Sequence, residues 1–260
     1  MNTVHPEKDE EGVWITPMPS ADRALVRLFC LPYAGGNAAL YRDWPKWLGP
    51  KVDVCPLHLP GRGRRFREKP LYRVSDIADQ AAEALLQHLD RPYALFGHSM
   101  GASVAFEIAR RLRRHGAPEP GCLFVSGRSA PHLPKEGDNI HALPDDAFID
   151  AVMRLNGSPP EVLKHPDLID LILPTLRADF EAVETYHLTP EPPLTCPIVA
   201  LGGREDPDLP ATSIEAWRVH STGTFRHESF PGDHFFIRAQ DERFFTILRS
   251  ELSSLMRKGQ

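Results

Sequence analysis

The pentapeptide at residues 97–101, G-H-S-M-G, lies between two segments of different hydrophobic period, and this context constrains the fold strongly. Residues 91–96 form a short apolar run typical of a strand, whereas residues 102–112 carry apolar side chains at helical spacing. A glycine on each side of Ser99 permits a tight turn in which the hydroxyl stands clear of the sheet. We therefore predict a nucleophile elbow with Ser99 as nucleophile. The alternative is an ordinary glycine-rich turn whose serine merely caps the helix.

Apolar runs of strand type alternate with helical patterns along the 260-residue chain. The runs span residues 24–31, 52–57, 93–96, 122–126, 198–201 and 225–230, and the helical patterns span 75–89, 99–115, 213–220 and 241–256. We expect Ser75 to cap the first of these helices and Gly116 to end the second. The alternation predicts a single α/β domain over residues 1–260, with a mostly parallel central sheet flanked by helices.

The alternation stops between about Gly127 and Pro197. Proline-rich loops there flank two helical patterns, at residues 145–155 and 161–186, and we expect Pro166 and Pro174 to interrupt the second. Because no core strand is predicted in this stretch, we expect a helical lid, inserted at residues 128–196, over the strand ends. The alternative is a set of ordinary crossover helices, although a crossover needs only about a dozen residues.

Composition narrows the class of protein. The chain has 30 basic and 35 acidic residues, a net charge of −5, which argues against general nucleic-acid binding. No apolar run approaches the ~20 residues of a membrane span. Residues 1–12 are polar and acidic, so we expect a frayed tail rather than a secretory signal. The cysteines lack metal-ligand spacing, and we expect no metal site and four free thiols in a reducing cytoplasm: Cys30, Cys55, Cys122 and Cys196.

A serine nucleophile needs a base, and the base needs an orienting acid. In a fold of this kind the acid follows a later strand. Asp206 comes just after the apolar run at 198–201 and is the predicted acid. Glu205 and Asp208 lie on the same loop, and a solvated loop charge is the alternative for each of these residues.

The base is expected after the last strand. Among twelve histidines, His234 lies on the loop that follows residues 225–230, so it is the predicted base. His227 lies inside that strand, and we expect His98 to point away from the site although it is next to the serine.

The negative oxygen formed during acyl transfer needs two backbone N–H donors. Met100, directly after the serine, is one predicted donor. The small, glycine-rich loop at residues 31–37 should supply the other. Ala34 is the first candidate there, with Tyr33 and Gly35 as alternatives.

Five segments together resemble the type II thioesterases, stand-alone α/β-hydrolases that accompany modular polyketide synthases and nonribosomal peptide synthetases. They are L-P-Y-A-G-G at 31–36, L-P-G-R-G at 59–63, G-H-S-M-G at 97–101, G-R-E-D at 203–206 and G-D-H-F at 232–235. The likeness extends from about Arg27 to Leu255. The elbow alone fits many hydrolases, whereas the first two segments, in this order and spacing, are much more specific.

The resemblance implies a substrate class that spacing cannot give. It implies hydrolysis of acyl thioesters on the phosphopantetheine arm of acyl or peptidyl carrier proteins, in order to edit or release acyl units. It also implies Ser99, Asp206 and His234 as triad, Met100 and Ala34 as oxyanion donors, a mobile lid, no cofactor and a cytoplasmic monomer. A general carboxylesterase or an acyltransferase with the same triad is the alternative, as is a carrier-binding protein without activity.

Two sets of side chains have two interpretations each. A basic run would steer an acidic carrier protein, or it is a solvated loop: Arg62, Arg64, Arg65, Arg67, Lys69 and Arg73. Four apolar residues of the predicted lid would line an acyl channel, or they form the core of the lid: Phe148, Met153, Leu171 and Leu176.

Overall fold

The structure is a computed structural model, and it describes residues 12–16, 23–135, 137–155, 166–239 and 241–258. Nearly all of the predicted frayed tail at residues 1–12, and residues 161–165 of the second predicted lid helix, lie outside this part of the chain.

A six-stranded parallel sheet runs through the described residues. Its strands are β1 (Val26–Leu31), β2 (Val52–Pro56), β3 (Tyr93–His98), β4 (Leu123–Ser126), β5 (Ile198–Gly203) and β6 (Phe225–Phe230). Their order in the sheet is β2-β1-β3-β4-β5-β6, and every neighbouring pair is parallel. The predicted fold class is confirmed. Because all six strands point the same way, the loops that follow them meet at one edge of the sheet.

The helices of the described residues are α1 (Trp44–Leu48), α2 (Val74–Leu86), α3 (Met100–Arg114), α4 (Asp145–Arg154), α5 (Pro166–Glu184), α6 (Ala211–Glu215) and α7 (Glu242–Lys258). All of them except α4 and α5 cover the two faces of the sheet. Successive residues of β1 point to opposite faces. Phe29 and Leu31 pack with α2 and α3, whereas Leu28 and Cys30 pack with α1 and α7. The core therefore forms two apolar layers with the sheet between them.

Predicted helix ends were partly right. Gly116 ends α3 as expected: its φ is +71°, its N–H donates to Arg113 O, and the next N–H donates to Leu112 O, which is the Schellman arrangement. The prediction for Ser75 was wrong, because α2 begins at Val74 and Ser75 Oγ donates to the neighbouring carboxylate of Asp76. Val74 is 1% exposed, so burial of this side chain in the core extends the helix past the expected cap.

The prediction that Pro174 interrupts a helix was also wrong, whereas the predicted helical residues before Pro166 lie outside the described part of the chain. Pro166 is the first residue of α5, where a missing N–H costs nothing, and Pro174 lies inside the helix. A proline inside a helix removes one backbone hydrogen bond. Leu176, Ala178 and Ala182 are buried on the following turns, and this packing stabilises the helix through the proline.

The described residues between β4 and β5 form α4 and α5 with no strand between them. Their apolar side chains form a cluster of their own around Phe148, Val152, Ile169 and Leu176. Of the four residues with two interpretations, Phe148 and Leu176 belong to this core and Met153 packs against it, whereas Leu171 is 53% exposed.

Helix α5 crosses the edge of the sheet at which the strands end. Three hydrogen bonds join it to three loops: Thr175 to Gly61, Asp179 to Gly35, and Val183 to Arg128. These loops follow β2, β1 and β4, respectively. In the sheet, β3 lies between β1 and β4. The segment 179–183 therefore crosses near the end of β3. That residues 128–196 move as a lid stays a prediction.

Candidate active site

Ser99 has the strained backbone of a nucleophile elbow. Its φ is +54° and its ψ is −117°, and it is the one non-glycine residue with positive φ in the described part of the chain. Such a conformation persists only where surrounding contacts enforce it. Here the Ser99 N–H donates to Ser126 O at 2.7 Å, and the Ala102 N–H donates to Ser99 O at 2.9 Å. The turn is thus fastened to β4 on one side and to α3 on the other.

Both glycines of the pentapeptide are required by close approach of backbone. A Cβ added to Gly97 would lie 2.0 Å from Gly101 O, and one added to Gly101 would lie 2.3 Å from Leu31 O. Helix α3 therefore begins in direct contact with the end of β1. This contact brings the loop at residues 31–37 beside the turn that carries Ser99.

The loops after β5 and β6 bring an acid and a histidine together. The Nδ1 atom of His234 donates to Asp206 Oδ2 at 2.6 Å, and the other carboxylate oxygen accepts from the Asp208 N–H at 3.1 Å. The Asp206 side chain is 1% exposed and that of His234 is 29% exposed. This hydrogen bond leaves Nε2 of His234 as the nitrogen available for proton transfer.

The neighbouring acids of that loop have other contacts. The Glu205 N–H donates to Gly232 O at 3.0 Å, and the Glu205 carboxylate accepts from the Gly232 N–H. The backbone N–H of Asp208 donates a hydrogen bond to the Asp206 carboxylate. Neither alternative acid is hydrogen bonded to His234 within the described residues, which favours Asp206.

His98 and His227 are not placed to act as the base. His98 is fully buried, its Nδ1 pairs with Ser126 Oγ at 2.9 Å, and its ring centroid lies 5.3 Å from that of His234. Burial, and then the charge of His234, lowers the pKa of His98 well below 6.5, so this ring is neutral. His227 lies in β6, and its Nδ1 pairs with the Glu215 carboxylate at 2.9 Å.

Within the described residues no hydrogen bond joins Ser99 Oγ to the His234 imidazole, whose ring lies 5.3 Å from that of His98, the residue before Ser99. A hydrogen bond between a nucleophile and its base often tightens only in the complex with substrate. The structure thus joins two of the three predicted triad members directly.

The loop at residues 31–37 supplies the candidate backbone donors beside the elbow, and the Tyr33 N–H, one of the alternatives, donates to no described residue. The Gly35 N–H donates to Asp179 at 2.7 Å, so the alternative that this amide serves the oxyanion is disfavoured. Tyr33 O accepts from the Gly36 N–H at 2.8 Å. The N–H groups of Ala34 and Met100 donate to no residue in the described part of the chain. They remain the first candidates for the oxyanion site.

The basic run proved to be of two kinds. Arg62 and Arg65 are buried and paired, with Asp179 and Glu68 respectively. The other four are exposed: Arg64, Arg67, Lys69 and Arg73. Asp179 was not predicted from the sequence. The signal that the sequence offered was the position of Asp179 on the apolar face of the second lid helix, three positions from Leu176 and from Ala182.

Two further observations concern the described residues as a whole. No group of three or more His, Cys, Asp or Glu side chains is arranged there to hold a metal ion. No helix there combines the length and the apolar character needed to cross a bilayer. All four cysteines are buried and unpaired.

Comparison with known proteins places this geometry in context. The family model of the thioesterase domain matches residues 26–252. The chain is 44% identical over 246 residues to linear gramicidin dehydrogenase LgrE of Brevibacillus parabrevis, covering 94% of each chain. It is 43% identical to the solved structure of RedJ, a thioesterase from the prodiginine biosynthetic pathway in Streptomyces coelicolor, with a TM-score of 0.83 over 91% of this chain and 89% of that one. The structure of BorB, a type II thioesterase from the borrelidin biosynthetic cluster, is 37% identical, with a TM-score of 0.85 over 94% and 99%.

Proposed function

The chain belongs to the thioesterase family, and from this premise we propose that it hydrolyses acyl thioesters of carrier proteins through an acyl-enzyme on Ser99. The observation that supports this best is the strained Ser99 turn at the end of β3, beside a His234–Asp206 pair delivered by the loops after β6 and β5. A serine held in this way is exposed to a substrate carbonyl, and the neighbouring pair supplies a base of fixed tautomer.

In the acylation step, His234 Nε2 takes the hydroxyl proton of Ser99 while Oγ attacks the thioester carbonyl carbon. The carbonyl oxygen becomes negative and is held by the N–H groups of Met100 and Ala34. When the tetrahedral intermediate collapses, the C–S bond breaks, and the leaving sulfur receives the proton from His234. The products are a free thiol and an acyl-serine.

In the deacylation step, His234 removes a proton from a water molecule that attacks the acyl-serine. The second tetrahedral intermediate expels Ser99 Oγ, which takes that proton back, and a free carboxylic acid leaves. Asp206 stabilises the imidazolium in both steps. This carboxylate is almost fully buried, so its interaction with the imidazolium is screened little by solvent.

We infer that the thiol product is the phosphopantetheine arm of an acyl or peptidyl carrier protein, and that the enzyme edits or releases acyl units on polyketide or nonribosomal peptide synthetases. In support, RedJ is a thioesterase from the prodiginine biosynthetic pathway, and BorB is a type II thioesterase from the borrelidin biosynthetic cluster. Helices α4 and α5 would act as the lid over this site. We propose a cytoplasmic location, since four unpaired thiols suit a reducing compartment, and a monomer, which only the resemblance to type II thioesterases implies.

The name of LgrE raises dehydrogenation as a second candidate. A dinucleotide-binding fold carries G-x-G-x-x-G at the turn after its first strand, where the helix N-terminus meets the pyrophosphate. Here β1 is followed by P-Y-A-G-G-N at residues 32–37, and a short 3-10 helix begins at Ala38. The turn with two close-approach glycines follows β3 instead and carries Ser99. Hydrolysis therefore fits the site better.

The test is mass spectrometry of an acylated carrier protein incubated with the wild type, Ser99→Ala and Asp206→Asn. We expect the wild type to remove the acyl mass, with activity lower by at least ~10⁴-fold for Ser99→Ala and by about 10⁴-fold for Asp206→Asn. Ser103→Ala is the matched control, because Ser103 is a buried serine one turn further along α3 and should retain activity.

Acyl-CoA and a simple oxyester are assayed in parallel with the carrier protein. Hydrolysis of the oxyester but not of the carrier thioester would replace the proposal with a general carboxylesterase. Turnover by pure Ser99→Ala would remove Ser99 as nucleophile.

A further inference from the structure

A buried carboxylate outside the triad contacts the loop that carries the candidate oxyanion donor. Asp179 lies in α5 and is fully buried. Its Oδ2 accepts a hydrogen bond from the Gly35 N–H at 2.7 Å, across 144 positions of sequence. Arg62 donates to both oxygens of the same carboxylate, with Nη2 to Oδ1 at 2.7 Å. Three strong donors therefore converge on one side chain of the predicted lid.

These contacts fix the direction of the Ala34 N–H. The Tyr33 carbonyl and the Ala34 N–H belong to one planar trans peptide, so they point in opposite directions. The carbonyl accepts from the Gly36 N–H at 2.8 Å, which directs the Ala34 N–H to the other side. The following peptide carries the Gly35 N–H, and Asp179 holds it. Both peptide planes next to Ala34 are thus fixed by hydrogen bonds.

Arg62 completes this arrangement from the loop after β2. Its Nη1 lies 3.4 Å from Gly36 O and its Nε lies 3.3 Å from Pro60 O, so it joins the two loops as well as α5. A carboxylate without solvent contact is strongly destabilising unless it is paired. The Arg62 guanidinium supplies the compensating charge for the Asp179 carboxylate.

We propose that Asp179 is a positioning residue for the oxyanion site, and that α5 must be docked on the loop at residues 31–37 for the Ala34 N–H to point at the reacting carbonyl. This inference rests on the proposed function, because it needs Ala34 as a donor. Asp179 acts through Gly35 and touches no substrate atom. Lid docking and oxyanion stabilisation are thereby coupled through one side chain.

The competing explanation is that Asp179 merely anchors α5 to the core. Two other contacts of the same helix separate these explanations. Thr175 Oγ1 donates to Gly61 O at 2.8 Å and anchors α5 without touching the oxyanion loop. Glu184 is a second buried carboxylate of α5 that accepts backbone N–H groups, but those of Ile140 and His141 within the insertion.

The experiment compares Asp179→Asn with Asp179→Leu, and uses Thr175→Val and Glu184→Gln as controls. Asn and Leu have similar size and both leave Arg62 without its ion pair, but only Asn keeps an acceptor for the Gly35 N–H. For each variant, kcat and KM on an acyl thioester are measured well below its Tm. The affinity for a boronic acid that forms a tetrahedral adduct with serine is measured as well.

We expect Asp179→Leu to lower kcat by about 10- to 100-fold with KM changed by less than about 3-fold, since a misplaced oxyanion donor acts on the transition state. The affinity for the boronic acid should fall in parallel. Asp179→Asn should recover most of kcat, and both controls should keep it. If Asp179→Leu does not fold, Asp179→Leu with Arg62→Met removes both buried charges and is expected to show the same loss of kcat.

Equal kcat for Asp179→Leu and the wild type would overturn the inference, as would an equal loss in Thr175→Val. Equal impairment of the Asn and Leu variants would also overturn it, because charge rather than the Gly35 acceptor would then be responsible. Ser99→Ala in the same assay tests the premise separately. If that variant is inactive while Asp179→Leu is fully active, the proposed function stands and only this inference fails.

Discussion

Gly101→Ala tests the contact that places the nucleophile turn beside the oxyanion loop. Gly101 lies in the first turn of α3, and its φ is not in the left-handed region, so alanine meets no intrinsic backbone strain there. In an isolated helix this substitution would be stabilising by up to ~1 kcal/mol. The added methyl group would, however, lie 2.3 Å from Leu31 O and 2.7 Å from Pro32 O. Both atoms belong to backbone and cannot rotate away.

The magnitude follows from these distances. Ordinary contacts of a Cβ begin near 3.4 Å, so α3 and the end of β1 must separate by about 1 Å. Overpacking costs about 1–3 kcal/mol, and this contact lies near the upper end because both contacted atoms are backbone; subtracting the gain of up to ~1 kcal/mol in helix propensity leaves about 2 kcal/mol. We expect a net loss of about 2 kcal/mol and a Tm lower by roughly 4–8 °C. A displacement of about 1 Å between Met100 and Ala34 should also lower kcat by about 100-fold.

Calorimetry and steady-state kinetics of the purified variant measure these two effects. Gly116→Ala is the control, because Gly116 has a φ of +71° with open space around its missing side chain. Alanine there costs about 1–2 kcal/mol of backbone strain and should leave kcat unchanged. A Tm of Gly101→Ala equal to or above that of the wild type, with full kcat, would refute the reasoning. Helix propensity would then outweigh the contact with β1.

Two further predictions concern titration of buried groups. Burial, and then the charge of His132, lowers the pKa of His220 from 6.5 to about 4, so the unfolded chain binds that proton first as the pH falls. The Tm should therefore decrease from about pH 6.5 to about pH 4, less steeply in His220→Gln, and identical slopes would contradict this assignment. Burial raises the pKa of the Cys196 thiol to about 12, and it also raises the pKa values of Cys30, Cys55 and Cys122. We therefore expect no thiol to react with iodoacetamide in the native enzyme at pH 7, and all four to react in denaturant. Labelling of any of them before unfolding would show that it is accessible.

The strands of the fold were easier to predict from the sequence than the limits of its helices. Alternating strand and helix patterns identified all six strands, because strand and helix impose different hydrophobic periods on a chain. Helix limits were harder to predict. Ser75 and Pro174 carry strong local preferences, but the burial of Val74 and Leu176 outweighed them. Such burial depends on residues distant in sequence, and a local pattern does not contain it.

The sequence by itself determined the residues that follow strand ends: Ser99, Asp206 and His234. In a parallel sheet those ends share one edge, so a position directly after a strand is enough to bring a side chain to the site. Only the tertiary structure decided which side chains from elements far apart in sequence come into contact. The pairing of Asp179 with Arg62 and Gly35 spans 117 and 144 positions, and the burial of His98 depends on rings from two other loops. Local spacing carries no information about such approaches, because they follow from how the helices pack on the sheet.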